Sequence, residues 1–146
     1  MINKDFFLRI VFIALFLVSF LFSKDIGIVE KVVVDDTENQ VALVQRGEEV
    51  LFITSAGFKV QKKDIIKTFK ASKLKIRFID DTIIYIGPKT TLEIAQYYYD
   101  KQNKQNNKTN FKIKQGSYKI KTGDIEKLAP KQFKIETQFS TIGIRG

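Results

Sequence analysis

Lys73-Leu74-Lys75-Ile76-Arg77-Phe78-Ile79-Asp80-Asp81-Thr82-Ile83-Ile84-Tyr85-Ile86 is the stretch whose reading decides the fold class. Leu74, Ile76 and Phe78 alternate with Lys73, Lys75 and Arg77, and a period of two gives an extended strand one apolar and one charged face. Asp80-Asp81-Thr82 then predicts a reversal into a second strand. A three-residue loop sets Phe78 opposite Ile84 and Ile76 opposite Ile86, whereas a two-residue loop brings Ile83 and Tyr85 to that face. The longer loop is the expectation, because it keeps Ile84 and Ile86 inward in step with Leu92 and Ile94 beyond the Gly87-Pro88 break. It also needs a left-handed residue, which Asp tolerates better than most.

The same alternation recurs on both sides. Phe133, Ile135, Thr137, Phe139 and Thr141 alternate with Lys134, Glu136, Gln138 and Ser140. Phe111 and Ile113, then Tyr118 and Ile120, repeat it around a turn or bulge at Gly116. Ile26 to Val34 and Gln40 to Val44 predict a first hairpin across Asp35–Asn39. Phe58 to Thr68 reads as strand, turn around Asp64, and strand. Asp100 to Asn110 has no apolar residue and predicts a loop, while Asp124 to Leu128 predicts one helical turn capped by Asp124. The fold class is therefore all-β: one domain of short antiparallel strands forming a β-roll, a solenoid-like stack or a sandwich.

Ahead of this domain, Lys4 and Arg9 precede an apolar run from Ile10 to Phe22 that ends at Ser23-Lys24-Asp25. As helix that run reaches about 20 Å, short of a hydrocarbon core of about 30 Å and within the range of a secretory signal. Residues 1–23 are read as a signal peptide, with cleavage after Ser23, and residues 24–146 as the exported domain. The alternative is an uncleaved inner-membrane anchor with Arg9 at the cytoplasmic interface. Both place the β domain in the periplasm or outside the cell.

Composition removes whole classes of chemistry. Cysteine and histidine are absent, which excludes disulfides, thiolate nucleophiles, the commonest general base and the two commonest transition-metal ligands. The net charge is +9, but only Arg9, Arg46, Arg77 and Arg145 carry it as guanidinium and the rest is lysine. Lysine is poorly suited to fork-like base or phosphate recognition, so nucleic-acid binding is not expected. The close carboxylates Asp35-Asp36, Asp80-Asp81 and Asp124 with Glu126 all fall in predicted turns, where Asp serves local amides. Asp35, Asp36 and Asn39 lack the glycine and closing glutamate of a calcium loop. The expectation is a non-enzyme with no catalytic, metal or cofactor residues and no cofactor. Lys112, Lys114, Lys119 and Lys121, read as alternating outward on neighbouring strands, carry the alternative of a binder of anionic envelope polymers.

A series of short words follows one order: Arg46-Gly47, Gly57-Phe58-Lys59-Val60, Asp64-Ile65-Ile66-Lys67-Thr68, Asp80-Asp81-Thr82, Ile86-Gly87-Pro88-Lys89-Thr90, Gly116, Thr122-Gly123, and Phe133 through Ser140-Thr141-Ile142-Gly143-Ile144-Arg145-Gly146. In that order they resemble the FecR domain. The resemblance implies an exported signalling or interaction module meeting a protein of the envelope. It also implies a cytoplasmic helical part that handles a sigma factor, which Met1 to Asp5 is too short to be, and further strands after Gly146, so the domain is expected to lack its last strands or to be a fragment. An edge left by those strands is the expected point of contact with the partner, by strand addition. Asp64 and Thr68 are expected to tie turn amides, and Arg145 to stack on a strand face or pair with a buried carboxylate such as Asp64, the alternative being presentation to a partner.

Overall fold

The computed structural model describes residues 3–19, 24–35, 40–138 and 141–143. A helix, α1 (Lys4–Ser19), precedes the domain. The strands follow as β1 (Asp25–Val34), β2 (Ala42–Arg46), β3 (Glu49–Ile53), β4 (Lys59–Gln61), β5 (Ile65–Thr68), β6 (Ser72–Phe78), β7 (Ile83–Ile86), β8 (Thr91–Tyr98), β9 (Lys108–Gln115) and β10 (Tyr118–Lys121). After a short helix, α2 (Asp124–Leu128), come β11 (Phe133–Thr137) and β12 (Thr141–Gly143).

These strands form two sheets. One has five strands in the order β10-β7-β6-β1-β4, and the other seven in the order β12-β11-β9-β8-β5-β2-β3. The inward faces share one core, in which Val29, Ile76 and Ile84 of the first sheet and Val44, Ile66, Leu92 and Ile94 of the second are all buried. Phe78 of β6 lies 5.4 Å from the ring of Tyr97 in β8 and 5.0 Å from Phe111 in β9, so aromatic packing joins the sheets directly. The all-β, single-domain reading holds, in its sandwich form.

Four local expectations are corrected. β1 and β2 do not form a hairpin: β1 pairs with β6 and β4, while β2 pairs with β3 and β5 in the other sheet. Val29 and Val44 thereby bury their side chains from opposite sides of the core. The β6–β7 hairpin keeps a three-residue loop, but Ile76 faces Ile84 and Leu74 faces Ile86. The loop is Ile79-Asp80-Asp81, closed by Phe78 N–H donating to Thr82 O at 2.8 Å, with Asp81 left-handed at φ 65°. Burial of Asp80 against Tyr97 moves the turn back by one residue.

The seven-stranded sheet also contains one parallel pair, β9 with β11. Between them the chain visits the five-stranded sheet as β10 and returns through α2, a crossover long enough for parallel pairing. The polar Asp100–Asn110 stretch is a loop only to Asn107. That buried side chain accepts from Asp100 N–H at 2.6 Å and donates to Asp100 O at 2.9 Å, and β9 begins at Lys108.

Helix α1 exposes Phe6, Phe7 and Phe12. No helix among the described residues is long and apolar enough to cross a membrane. The expected cleavage point at Ser23 lies outside the described residues, as do the turn residues 36–39.

Candidate functional site

Of the carboxylates singled out from the sequence, Asp80 and Asp124 are built into the scaffold, whereas Asp35 and Asp81 stand exposed. Asp80 is fully buried and joins three elements. Its Oδ1 accepts from the Tyr97 hydroxyl at 2.6 Å, and its Oδ2 accepts from Thr82 Oγ1 at 2.7 Å and from Ile125 N–H at 3.2 Å. Helix α2, whose N-cap position is Gly123, thus starts on Asp80 rather than on its own Asp124. Asp124 Oδ2 instead accepts from the Tyr99 hydroxyl at 2.5 Å. Burial, reinforced by these neighbouring carboxylates, pushes both tyrosine hydroxyls well above the usual phenol range. Asp36 and Asn39 lie outside the described residues.

Asp64 is equally buried, and it receives a two-pronged contact from Arg46. Nε donates to Oδ1 at 2.9 Å and a terminal nitrogen donates to Oδ2 at 2.8 Å. The same Oδ2 ties Gln61 N–H at 2.9 Å, and Thr68 Oγ1 accepts from Thr90 N–H at 2.9 Å, so both residues serve turns as expected. Arg145, the expected partner of Asp64, lies outside the described residues.

The lysine ladder is corrected. Lys112 and Lys114 stand on β9 of the seven-stranded sheet, whereas Lys119 and Lys121 stand on β10 of the five-stranded sheet. On β9 the charge is answered by carboxylates: Lys114 Nζ lies 3.0 Å from Glu93 and Lys112 Nζ 3.8 Å from Glu136. These four residues make no common surface.

A different cationic row does. Strand register across β1, β6, β7 and β10 sets Lys31 opposite Lys75, Lys75 opposite Tyr85, and Tyr85 opposite Lys119, on the face turned away from the core. Neighbouring strands lie about 4.8 Å apart, and like charges directly opposite one another are destabilising. Glu30 relieves part of this, bonding Lys75 at 2.8 Å and also Arg77, and these cations hold its carboxyl below the usual carboxylate range, Arg77 most. Lys31, Lys73 and Lys119 have no carboxylate partner among the described residues.

Beside this row runs a groove of about 440 Å³, a ligand-sized volume. Val33 and Pro88 contribute its apolar surface and the Tyr85 ring an aromatic wall, while the buried Leu74 and Ile86 lie beneath its floor with their side chains in the core. Lys31, Lys73, Lys75 and Lys119 also line it, with the Lys75 ammonium 5.9 Å from the Tyr85 ring centre. Sequence reasoning missed this site because its residues come from four strands. The outward lysines of β6 were visible, but only pairing aligns them with Lys31 and Lys119.

A family model described as FecR protein matches residues 64–146. No curated protein and no solved structure matches the chain. The matched segment runs from the buried Asp64 through β12 and contains the whole Asp80–Tyr97–α2 junction.

Proposed function

This chain belongs to the FecR protein family, and from that premise we propose that it works as a non-enzymatic, exported signalling or sensing module of the cell envelope, acting through contact with another envelope protein. The family match is the observation that carries this reading, since a FecR domain points to envelope signalling. The scaffold chemistry agrees with a binding role: the acidic residues at the Asp80 and Asp64 sites are spent on holding turns and sheets together. The apolar run of α1, followed by Ser23-Lys24-Asp25, supports export, with residues 24–146 working in the periplasm or outside the cell.

The contact is β-mediated. Among the described strands the seven-stranded sheet ends at β12 and β3. β3 carries Val50 and Phe52 with 52% and 44% of their surface open to solvent. An edge strand with exposed apolar side chains suits addition of a partner's strand, its backbone supplying hydrogen bonds and its side chains selectivity. This edge replaces the C-terminal one as the better supported contact, since residues 144–146 lie outside the described residues.

The test is capture from envelope extract on the full chain and on a Val50→Lys, Phe52→Lys variant, joined to fractionation of the native protein. One protein retained at high salt by the first and lost by the second supports the reading. Equal recovery on both, or a native chain found in the cytosol, refutes it.

A further inference from the structure

We propose that the groove on the outer face of the five-stranded sheet binds a single-chain anionic amphiphile, its apolar part against Val33, Pro88 and the Tyr85 ring and its charged head among Lys31, Lys73 and Lys119. This goes beyond the protein-contact reading, uses the opposite sheet from β3, and stands whether or not a strand-adding partner exists.

Three observations select that occupant. The first is charge complementarity. Lys31, Lys73 and Lys119 line one groove without carboxylate partners among the described residues, while the outer face of the other sheet pairs Lys114 with Glu93 and Lys112 with Glu136. The second is the cross-strand register, which sets Lys31 opposite Lys75 although like charges facing each other oppose pairing. Glu30 answers Lys75 but leaves Lys31 without a carboxylate among the described residues, and an anionic head beside Lys31 completes the compensation. The third is the wall chemistry. A polyanion needs only cations on an open surface, whereas this groove adds Val33, Pro88 and the Tyr85 ring, which gain from burial only under an apolar body. Tyr85, 42% exposed, sits at the middle of the row, where its ring meets the apolar part and Lys75 meets its face.

The energetics assign each part a role. Apolar contact gives affinity without direction, and the lysines fix which end of the amphiphile lies across the strand row. Lysine suits this head because it acts as a mobile point charge on an apolar stem, lining the groove with methylenes and placing the ammonium at the rim.

The experiment is titration of the isotopically labelled full chain with decyl phosphate below its micelle threshold, following amide resonances of Gly87 and Ser117. Both line the groove, and Gly87 N–H donates to Ser117 O at 2.9 Å. This localised readout separates the groove from any binding on α1. The expected result is saturable shifts at these amides, at least about tenfold tighter than with octyl glucoside or inorganic phosphate alone, and weakened by added salt. A Lys73→Gln, Lys119→Gln variant should lose about tenfold in affinity, while a Lys112→Gln, Lys114→Gln variant keeps it. Circular dichroism and melting confirm that both variants fold. Equal binding of inorganic phosphate or of octyl glucoside overturns the proposal, as does equal loss in the two variants. Shifts seen only with anionic vesicles, or no shifts at all, overturn it too.

Discussion

The Tyr97 hydroxyl donates to Asp80 across 2.6 Å, and with that one bond β8 of the seven-stranded sheet is tied to the β6–β7 turn of the five-stranded sheet. Asp80 returns the contact, its own N–H donating to the Tyr97 oxygen at 3.2 Å. Among the described residues no cation pairs with this carboxylate; its oxygens are satisfied by Tyr97, Thr82 and the first turn of α2.

Removing Asp80 therefore strands several buried donors at once. Asp80→Ala should cost about 3 kcal/mol, since each orphaned buried donor costs about 1–3 kcal/mol and neighbours relax only in part. Tyr97→Phe, which keeps the ring against Phe78, should cost about 1.5 kcal/mol. Urea unfolding followed by circular dichroism checks both, with the midpoint falling in that order and the slope unchanged.

Alkaline pH should act through the same bond. Burial, and then the negative charge of Asp80, raises the Tyr97 hydroxyl far above its ordinary value. The folded chain holds a proton that the unfolded chain releases near pH 10, so stability is complete below about pH 10 and falls as pH rises beyond it, by about 1.4 kcal/mol per pH unit for this group. Tyr99, raised by burial and by its bond to Asp124, adds in the same direction. Stability measured by urea between pH 9 and pH 11 should decline less steeply in Tyr97→Phe, and an unchanged slope refutes the assignment.

Two glycines should tolerate no side chain. A Cβ at Gly123 would lie 2.1 Å from Asp80 O and 2.4 Å from Thr82 N, both backbone atoms, where α2 meets the β6–β7 turn. Gly116 combines a left-handed φ of 95° with a Cβ position 2.1 Å from Thr90 Oγ1. Gly123→Ala and Gly116→Ala should each cost about 3 kcal/mol or more, through overpacking against groups that cannot retreat. Gly47, at φ 60° with nothing within 4 Å, isolates the backbone term. Gly47→Ala should cost only about 1 kcal/mol, read as a smaller shift in melting temperature.

Much of this architecture was legible because period-two alternation is a local property. Lys73 to Phe78 and Phe133 to Thr137 became strands with the expected inward residues, Leu74, Ile76, Phe78, Phe133 and Ile135. The glycine- and aspartate-bearing words carried further meaning: Gly57, Asp64, Gly87-Pro88 and Gly116 fall where the chain passes from one sheet to the other. Partnership was not legible, because it depends on contacts distant in the chain. Nothing near Ile26 to Val34 says that its neighbour is β6 rather than β2. For the same reason the row of Lys31, Lys75, Tyr85 and Lys119 stayed hidden. Arg145 was the arginine expected beside a carboxylate such as Asp64, and although Arg46-Gly47 stands in the same series of words, only the fold joins Arg46 to Asp64 across 18 positions.

That clasp supports the last prediction. Arg46 donates twice to Asp64, once more to Lys59 O at 2.9 Å, and its guanidinium carbon lies 5.6 Å from the Phe58 ring centre. Hydrogen bonding to Asp64 is the main cause that raises the Arg46 pKa above its ordinary value, so the guanidinium keeps its charge. Arg46→Ala should cost about 2–3 kcal/mol, below the range for a fully buried pair because Arg46 keeps 24% of its side chain in solvent. Arg46→Lys should recover less than half of that loss, since one ammonium cannot reproduce a two-pronged bond, the Lys59 carbonyl contact and the flat face toward Phe58. A double-mutant cycle with Asp64→Asn decides the point. A coupling above about 1 kcal/mol is expected for residues in one bonded network, and additive losses would mean that Arg46 acts through packing on Phe58 alone.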